Sequence, residues 1–152
     1  MTSDPALMKV LLVEDNPLDV RLMREVLDGT RLPYRLEVAS APQHALTVLR
    51  GDGKTTPAIH PDLVLLDLSI PRQGGRELLI EIKCDPLLRR IPVMVLAAAA
   101  ADADFLAAYE EYTHCFMPKP TNLDRFVALV QALRDFWLKE AIPAVPSATQ
   151  SI

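Results

Sequence analysis

Residues 10–17 read Val-Leu-Leu-Val-Glu-Asp-Asn-Pro, a short apolar run that ends in two acidic residues and a proline. Two later apolar runs are organised in the same way: residues 63–66 lead into Asp67, and residues 115–117 are followed closely by Lys119. Continuous apolar runs of this length are typical of strands that are covered on both faces of a parallel sheet. The carboxyl ends of parallel strands meet at one edge of the sheet, so three carboxylates and one ammonium are expected to converge there. Such a group suits a divalent cation and a phosphoryl group.

Helical patterns alternate with strand patterns along the whole chain. Pro17 can begin a helix that is capped by Asn16, and Gly29 can end it. The predicted strands are 9–13, 35–39, 62–67, 92–96 and 114–117, and the predicted helices are 17–29, 42–50, 77–83, 102–109 and 123–141. Five strand–helix repeats predict an α/β fold, a five-stranded doubly wound parallel sheet with five helices and right-handed crossovers.

Composition limits the class of protein. The 152 residues suit one domain, predicted at 1–142, followed by a small, proline-bearing tail at 143–152 that we expect to be disordered. A net charge of −4 argues against nucleic-acid binding that is driven by phosphate attraction. No apolar stretch is long enough to span a membrane, no secretory signal is evident, and the two cysteines follow no metal spacing. We therefore expect a cytoplasmic protein that contacts neither membrane nor nucleic acid.

Three motifs in the right order resemble the receiver domain of two-component response regulators. They are Val13-Glu14-Asp15-Asn16, Leu66-Asp67-Leu68 with Pro71 and Gly75, and Lys119-Pro120. The resemblance covers residues 8–140 and implies the flavodoxin-like sheet order 2-1-3-4-5. Residues 11–20, 62–71 and 135–138 look closer still to the small single-domain regulators that partner phytochrome-type histidine kinases.

The resemblance assigns a role to each residue of the cluster. It implies that Asp67 accepts a phosphoryl group from a histidine kinase and that Lys119 contacts the phosphoryl oxygens. It also implies that Glu14 and Asp15 hold Mg²⁺, with Asp67 and the backbone carbonyl of Ser69 completing the ligands. An alternative for Glu14 and Asp15 alone is that they favour the start of the following helix, where negative charge is stabilising. Lys119 alone is more often a solvated surface charge.

Two positions depart from the receiver pattern. Receivers usually place a Thr or Ser at the end of the fourth strand, and its hydroxyl contacts the phosphoryl group; this chain has Ala97, the first of five alanines. The aromatic residue of the fifth strand that often reports switching is Phe116, which lacks a hydroxyl. We therefore expect phosphoryl acceptance, with weaker coupling of the phosphoryl group to a moving loop.

The last helix carries two apolar stripes. Leu123, Phe126, Val127, Val130 and Trp137 form one, and Leu129, Leu133 and Phe136 form the other. One stripe suffices to cover a sheet, so the second predicts a contact with something else. We expect a homodimer through this helix, with Leu129, Leu133, Phe136 and Trp137 as candidate interface residues. The alternative is that the second stripe packs on a neighbouring helix.

Three functions remain open from the sequence. The leading hypothesis is a single-domain response regulator that signals by changing its protein contacts and, beyond assisting its own phosphotransfer and dephosphorylation, is not an enzyme. The second is a phosphorylation-independent interaction module, which Ala97 favours. The third is an Asp-nucleophile phosphohydrolase, which would want a second acid near Asp67, whereas residue 69 is Ser. A flavin-binding module is weaker again, because the acidic loop at residues 14–18 would repel a phosphate in the absence of a metal ion.

Overall fold

The computed structural model describes residues 7–51, 53, 57–68, 74–97 and 115–141. Its strands are β1 (Met8–Val13), β2 (Tyr34–Ala39), β3 (Leu63–Asp67), β4 (Val93–Ala97) and β5 (Cys115–Pro118). Its helices are α1 (Pro17–Gly29), α2 (Pro42–Arg50), α3 (Gly74–Cys84) and α4 (Leu123–Ala141), with a short 3₁₀ helix at Leu88–Arg90. The predicted limits of α1, α2 and α4 are confirmed, and every strand end lies within one residue of its prediction. Helix α3 begins three residues earlier than predicted.

Some predictions fall outside these residues. They are the helix at 102–109, the tail at 143–152 and the carbonyl of Ser69, and for Ala97 and Phe116 only the backbone is described. Within the described ranges, no helix is both long and apolar enough to cross a membrane.

All five strands form one parallel sheet in the order β2-β1-β3-β4-β5, which confirms the predicted order. Strand β1 pairs with β2 on one side and with β3 on the other, and Val13 is opposite both Ala39 and Leu66. The chain therefore reverses its direction of travel across the sheet between β1 and β3. In an open α/β sheet, the cleft outside this switch point is where ligands bind.

Alternate side chains of the strands supply two separate cores, one on each face of the sheet. One core joins β1, β3 and β4 to α2 and α3; it contains Leu11, Val13, Val64, Leu66, Val93 and Val95 with Leu46, Leu49, Leu78, Leu79 and Ile82. The other joins the same strands to α1 and α4; it contains Val10, Leu12, Leu63, Leu65, Met94 and Leu96 with Met23, Val26 and Leu27. Both faces of the central strands are buried, which explains their uninterrupted apolar sequences.

Helix α4 corrects the prediction of the dimer surface. The four candidate interface residues, Leu129, Leu133, Phe136 and Trp137, are all buried in the second core, and none is more than 6% exposed. The other stripe is open only at its start, since Leu123 is 75% exposed and Val127 is 56% exposed, whereas Trp137 of the same stripe is buried. The residues that were predicted to meet a partner are thus the ones that cover the sheet.

Helices α1 and α4 are also joined to each other on this face. Arg134 Nη1 donates a hydrogen bond of 2.6 Å to the carbonyl oxygen of Thr30, which caps the end of α1. A Cβ atom on Gly29 would lie 3.1 Å from Cγ2 of Val130, so the two helices approach closely here. This contact fixes α1, whose first turn borders the site described next.

Candidate functional site

Asp67 is the last residue of the central strand β3, and its side chain is fully buried. The next residue continues the pairing, because Leu68 N donates to Leu96 O at 2.9 Å. Helix α3 packs directly against this strand end: a Cβ atom on Gly75 would lie 2.7 Å from the backbone oxygen of Asp67. The position of Asp67 is therefore set by the sheet on both sides and by α3.

Glu14 follows β1 and turns its side chain into the molecule, where only 1% of the residue is exposed. Its backbone N–H donates to Ala39 O at 3.0 Å, and its Oε2 accepts from the backbone N–H of Asn16 at 3.2 Å. Its Oε1 is buried and has no hydrogen-bond partner among the described residues. Burial, then the neighbouring Asp67, raises the pKa of Glu14 to about 8, although Lys119 opposes this shift.

Lys119 lies immediately after β5, and its side chain extends to the carboxyl ends of β1 and β3. Its Nζ donates to Asp67 Oδ2 at 2.9 Å and to Asp19 Oδ2 at 2.8 Å, and it lies 3.8 Å from Glu14 Oε1. Burial alone would lower the pKa of this ammonium, but the hydrogen bonds to Asp19 and Asp67 and the charges of Asp67 and Glu14 outweigh it and raise the pKa above its usual value. Lys119 is therefore a permanent cation in this site. The alternative of a solvated surface lysine is wrong, since its side chain is only 16% exposed.

Asp19 is the site residue that the sequence reasoning missed. It lies in the first turn of α1, which is capped by Asn16 through a hydrogen bond from the Leu18 N–H to the Asn16 side chain. One oxygen each of Glu14, Asp19 and Asp67 lies within 4.8 Å of the others. The sequence did offer one indication, an acidic residue in the first turn of the helix that starts at the cleft. Acidic residues are common at that position in any helix, because the helix dipole favours them, so the indication is not specific.

Asp15 is not part of this group. Its side chain is exposed, whereas the carboxylates that the described residues bring together are those of Glu14, Asp19 and Asp67. Successive residues of an extended chain point to opposite sides, so the inward turn of Glu14 sends its neighbour outward. The assignment of Asp15 as a metal ligand therefore stays a prediction.

The residues present fit a divalent cation. Three carboxylates lie close together, and hard cations such as Mg²⁺ and Mn²⁺ take oxygen ligands. The buried Oε1 of Glu14 has no hydrogen bond among the described residues, so it is a lone acceptor that faces the cluster. A cation at this position would also reduce the repulsion by Asp67, which adds to burial in raising the pKa of Glu14.

The ends of β4 and β5 complete the edge of the cleft. Ala97 is the last residue of β4 and is opposite Pro118, and Phe116 is opposite Val95. Next to Lys119, a pocket of about 260 Å³ is lined by Glu14, Asp19, Leu22, Met23, Leu96, Lys119, Pro120 and Thr121. The cleft therefore has room beside the ammonium for a small charged group.

The fold and the site are those of a receiver, and the comparison with known families agrees: the chain belongs to the response regulator receiver domain family, whose model matches residues 10–131. Over 130 residues it is 38% identical to the response regulator Rcp1 of Synechocystis sp., an alignment that covers 86% of this chain and 88% of Rcp1. Members of the family are signalling proteins that are phosphorylated on an aspartate.

Two solved structures of cyanobacterial regulators are similar to this one. The crystal structure of the phosphorylated cyanobacterial phytochrome response regulator RcpA has a TM-score of 0.74 at 38% identity, covering 88% of this chain and 95% of RcpA. The crystal structure of the Mn²⁺-bound form of Rcp1 has a TM-score of 0.71 at 38% identity, covering 87% of this chain and 95% of Rcp1. The chain is thus a response regulator receiver related to phytochrome response regulators.

Proposed function

We propose that Asp67 is the phosphoacceptor of this receiver and that it takes the phosphoryl group from a sensor histidine kinase. The observation that carries this proposal is the contact between Asp67 Oδ2 and Lys119 Nζ at 2.9 Å, at the carboxyl end of the central strand. Lys119 places a positive charge beside the Asp67 carboxylate, where phosphoryl oxygens would lie.

The reaction needs little covalent assistance from the protein. A carboxylate oxygen of Asp67 attacks the phosphorus of a phosphohistidine, the P–N bond breaks with its electron pair passing to the imidazole nitrogen, and an acyl phosphate forms on Asp67. Phosphoryl transfer depends mainly on positioning and on neutralising the charge of the oxygens. Lys119 supplies part of that charge, and the strand end fixes the position of Asp67.

We infer that the resident cation is Mg²⁺ and that Glu14 and Asp67 hold it. When bound, it supplies further positive charge to the phosphoryl oxygens. The Mn²⁺-bound form of the related Rcp1 supports a divalent cation in this kind of site. Asp15 and the Ser69 carbonyl stay predicted ligands; Asp15 is exposed here, and Ser69 lies outside the described residues.

The upstream partner that we propose is a histidine kinase of the phytochrome type. Support comes from the relatedness to Rcp1 and to the phytochrome response regulator RcpA, each at 38% identity over most of both chains. We propose that output occurs through protein–protein contacts in the cytoplasm, without nucleic acid or membrane. Self-association through α4 also stays a prediction, but its surface would be the exposed stripe that contains Leu123 and Val127.

A second candidate function is a receiver that has lost its switch and acts as an interaction module. The observation that favours it is Ala97 at the end of β4, where a hydroxyl would otherwise contact the phosphoryl group. A hydrogen bond to a charged oxygen is worth about 1.5–3 kcal/mol, so its loss weakens the coupling between phosphorylation and loop closure.

The test is the intact mass of the protein after incubation with Mg²⁺ and acetyl phosphate. We expect one added phosphoryl group in the wild type, none in Asp67→Asn, and one in the matched control Asp124→Asn, which changes an exposed acid of α4. An adduct on Asp67→Asn would place the acceptor elsewhere. No adduct on a folded protein that binds Mg²⁺ would favour the interaction module. Sustained release of nitrophenol from nitrophenyl phosphate would instead indicate a phosphohydrolase.

A further inference from the structure

Among the described acidic side chains near Lys119, Asp19 lies at a shorter distance than Asp67 and Glu14. Its Oδ2 lies 2.8 Å from Lys119 Nζ, compared with 2.9 Å for Asp67 Oδ2 and 3.8 Å for Glu14 Oε1. The two residues are 100 positions apart in the chain and come from different elements, α1 and the turn after β5. This contact is therefore a product of the fold, and it joins Lys119 to an element other than the strand that carries Asp67.

We propose that Asp19 is a positioning residue for phosphotransfer: its carboxylate holds the Lys119 ammonium at the cleft while the ammonium passes from Asp67 to the incoming phosphoryl oxygens. The inference rests on the proposed function of Asp67 as phosphoacceptor. A lysine side chain has four flexible bonds, and its point charge acts only where it is held. When the Asp67 carboxylate becomes an acyl phosphate, it loses its own charge, whereas the contact with Asp19 persists.

The position of Asp19 in the first turn of α1 suits this role. Helix α1 begins with a side-chain cap at Asn16, and the Val20 N–H donates to Asn16 O at 3.0 Å, so the turn that carries Asp19 is regular. The helix is fixed to the sheet by Met23, Val26 and Leu27, which are buried. The carboxylate of Asp19 is therefore held by a rigid element, and about 30% of it remains exposed.

A rival role for Asp19 is that of a metal ligand, because its carboxylate lies within 4.8 Å of those of Glu14 and Asp67. The direct 2.8 Å contact with Lys119 favours the positioning role, since the ammonium already binds Oδ2 of Asp19. The two roles differ in what the loss of the carboxylate should change. A positioning residue affects the rate at saturating Mg²⁺, and a ligand affects the affinity for Mg²⁺.

The experiment compares Asp19→Asn and Asp19→Glu with the wild type and with Glu25→Gln, an exposed acid on the same helix. The readouts are the rate of phosphorylation by acetyl phosphate at saturating Mg²⁺ and the Mg²⁺ dissociation constant. We expect Asp19→Asn to lower the rate about tenfold, as for a partly exposed charge-assisted hydrogen bond, and to change the Mg²⁺ constant by less than about fivefold. Asp19→Glu keeps the carboxylate and should recover most of the rate, and Glu25→Gln should match the wild type.

Two results would overturn the inference. A rate in Asp19→Asn that is within about twofold of the wild type would show that Lys119 needs no second anchor. A rise of more than about fivefold in the Mg²⁺ dissociation constant would make Asp19 a metal ligand instead. Failure of the proposed function looks different, because the wild type itself would then take up no phosphoryl group, or Asp67→Asn would still take one up.

Discussion

Glu14 is the residue of this site at which burial and charge conflict most directly. It is 1% exposed and lies beside the carboxylate of Asp67, and one of its oxygens has no hydrogen bond among the described residues. Lys119 offsets this only in part, because it donates hydrogen bonds to Asp67 and Asp19 and lies 3.8 Å from Glu14 Oε1. With a pKa of about 8, Glu14 retains a proton at neutral pH in the metal-free protein.

This proton gives the metal-free protein a dependence of stability on pH. Between the ordinary value of 4.5 and about 8, the folded chain holds a proton on Glu14 that the unfolded chain releases. The free energy of unfolding therefore falls as the pH rises through this window, by about 2 kcal/mol between pH 6 and pH 8. Glu14→Gln resembles the protonated form, so urea unfolding at several pH values should show a flatter profile and a more stable protein at pH 8.

Glu25→Gln provides the matched control for this experiment, since Glu25 is exposed on α1 and should leave the slope unchanged. Saturating Mg²⁺ at pH 8 should restore stability in the wild type and do much less in Glu14→Gln. If the stability of the wild type rises steadily from pH 5 to pH 8, Glu14 does not hold its proton in the folded state.

The site residues at strand ends could be predicted from the sequence, whereas Asp19, which lies on a helix, could not. Glu14, Asp67 and Lys119 each follow an apolar run, and the parallel sheet brings such ends together. Asp19 depends on the rotation of α1 about its own axis, which is set by the burial of three residues further along the helix. Asp15, whose side chain is exposed, stays a predicted ligand.

At the scale of elements, α3 holds the phosphoacceptor strand through a close backbone contact. Gly75→Ala would place a methyl group 2.7 Å from the Asp67 backbone oxygen and 2.9 Å from Leu68 Cα, both too close for backbone atoms that cannot turn away. We expect the free energy of unfolding to fall by about 2 kcal/mol, as for an overpacked site, together with slower phosphorylation.

Gly29→Ala is the control for that substitution, because it is also a helical glycine and its new Cβ atom would meet only a Val130 methyl group at 3.1 Å. Its effect should be small, since alanine also favours the helix. Equal losses of stability in Gly75→Ala and Gly29→Ala would mean that the contact between α3 and β3 has no special importance.

Helix α4 contributes to stability through the stripe that was first assigned to a partner. Leu133→Ala removes a fully buried side chain from the core beneath α4 and should lower the free energy of unfolding by about 3 kcal/mol. Val127→Ala, on the exposed stripe, should change it by less than about 0.5 kcal/mol. Denaturant unfolding of both variants checks this, and a Leu133→Ala protein as stable as the wild type would contradict the packing.

The sequence of α4 alone could not decide which stripe faces the sheet. Both stripes are apolar and lie on adjacent parts of the helix surface, and helix length and limits are the same for either choice. The packing of α1 beside α4, with Arg134 bonded to Thr30, selects the rotation that buries Leu133 and leaves Val127 open. The contact between α1 and α4 therefore determines which stripe of α4 is buried, a choice that the periodicity of the sequence left open.

At the scale of the whole molecule, the topology of the sheet could be predicted well, because alternation of strands and helices constrains it strongly. The site unites residues from the ends of β1, β3 and β5, which are far apart in the chain but meet at the edge of the sheet.

Self-association is a property of the molecule that the exposed stripe of α4 now predicts. The two open side chains, Leu123 and Val127, offer far less surface than the roughly 800 Å² per partner of a stable interface, so we expect a weak dimer that forms only at high concentration. Sedimentation velocity over a range of concentrations tests this. Val127→Asp should abolish the increase of the sedimentation coefficient with concentration, and Arg125→Asp, on the other side of the helix, should keep it. Identical sedimentation profiles at every concentration would show that no dimer forms.

The most direct test of the account is to locate the phosphoryl group on the chain. The protein is phosphorylated with acetyl phosphate and Mg²⁺ and then reduced with borohydride, which converts an aspartyl phosphate to homoserine, and the peptides are sequenced by mass spectrometry. We predict homoserine at position 67 and at no other aspartate, with the yield abolished by leaving out Mg²⁺. Homoserine at Asp15 or Asp19, or an unmodified position 67 in a phosphorylated protein, would contradict the assignment of the phosphoacceptor.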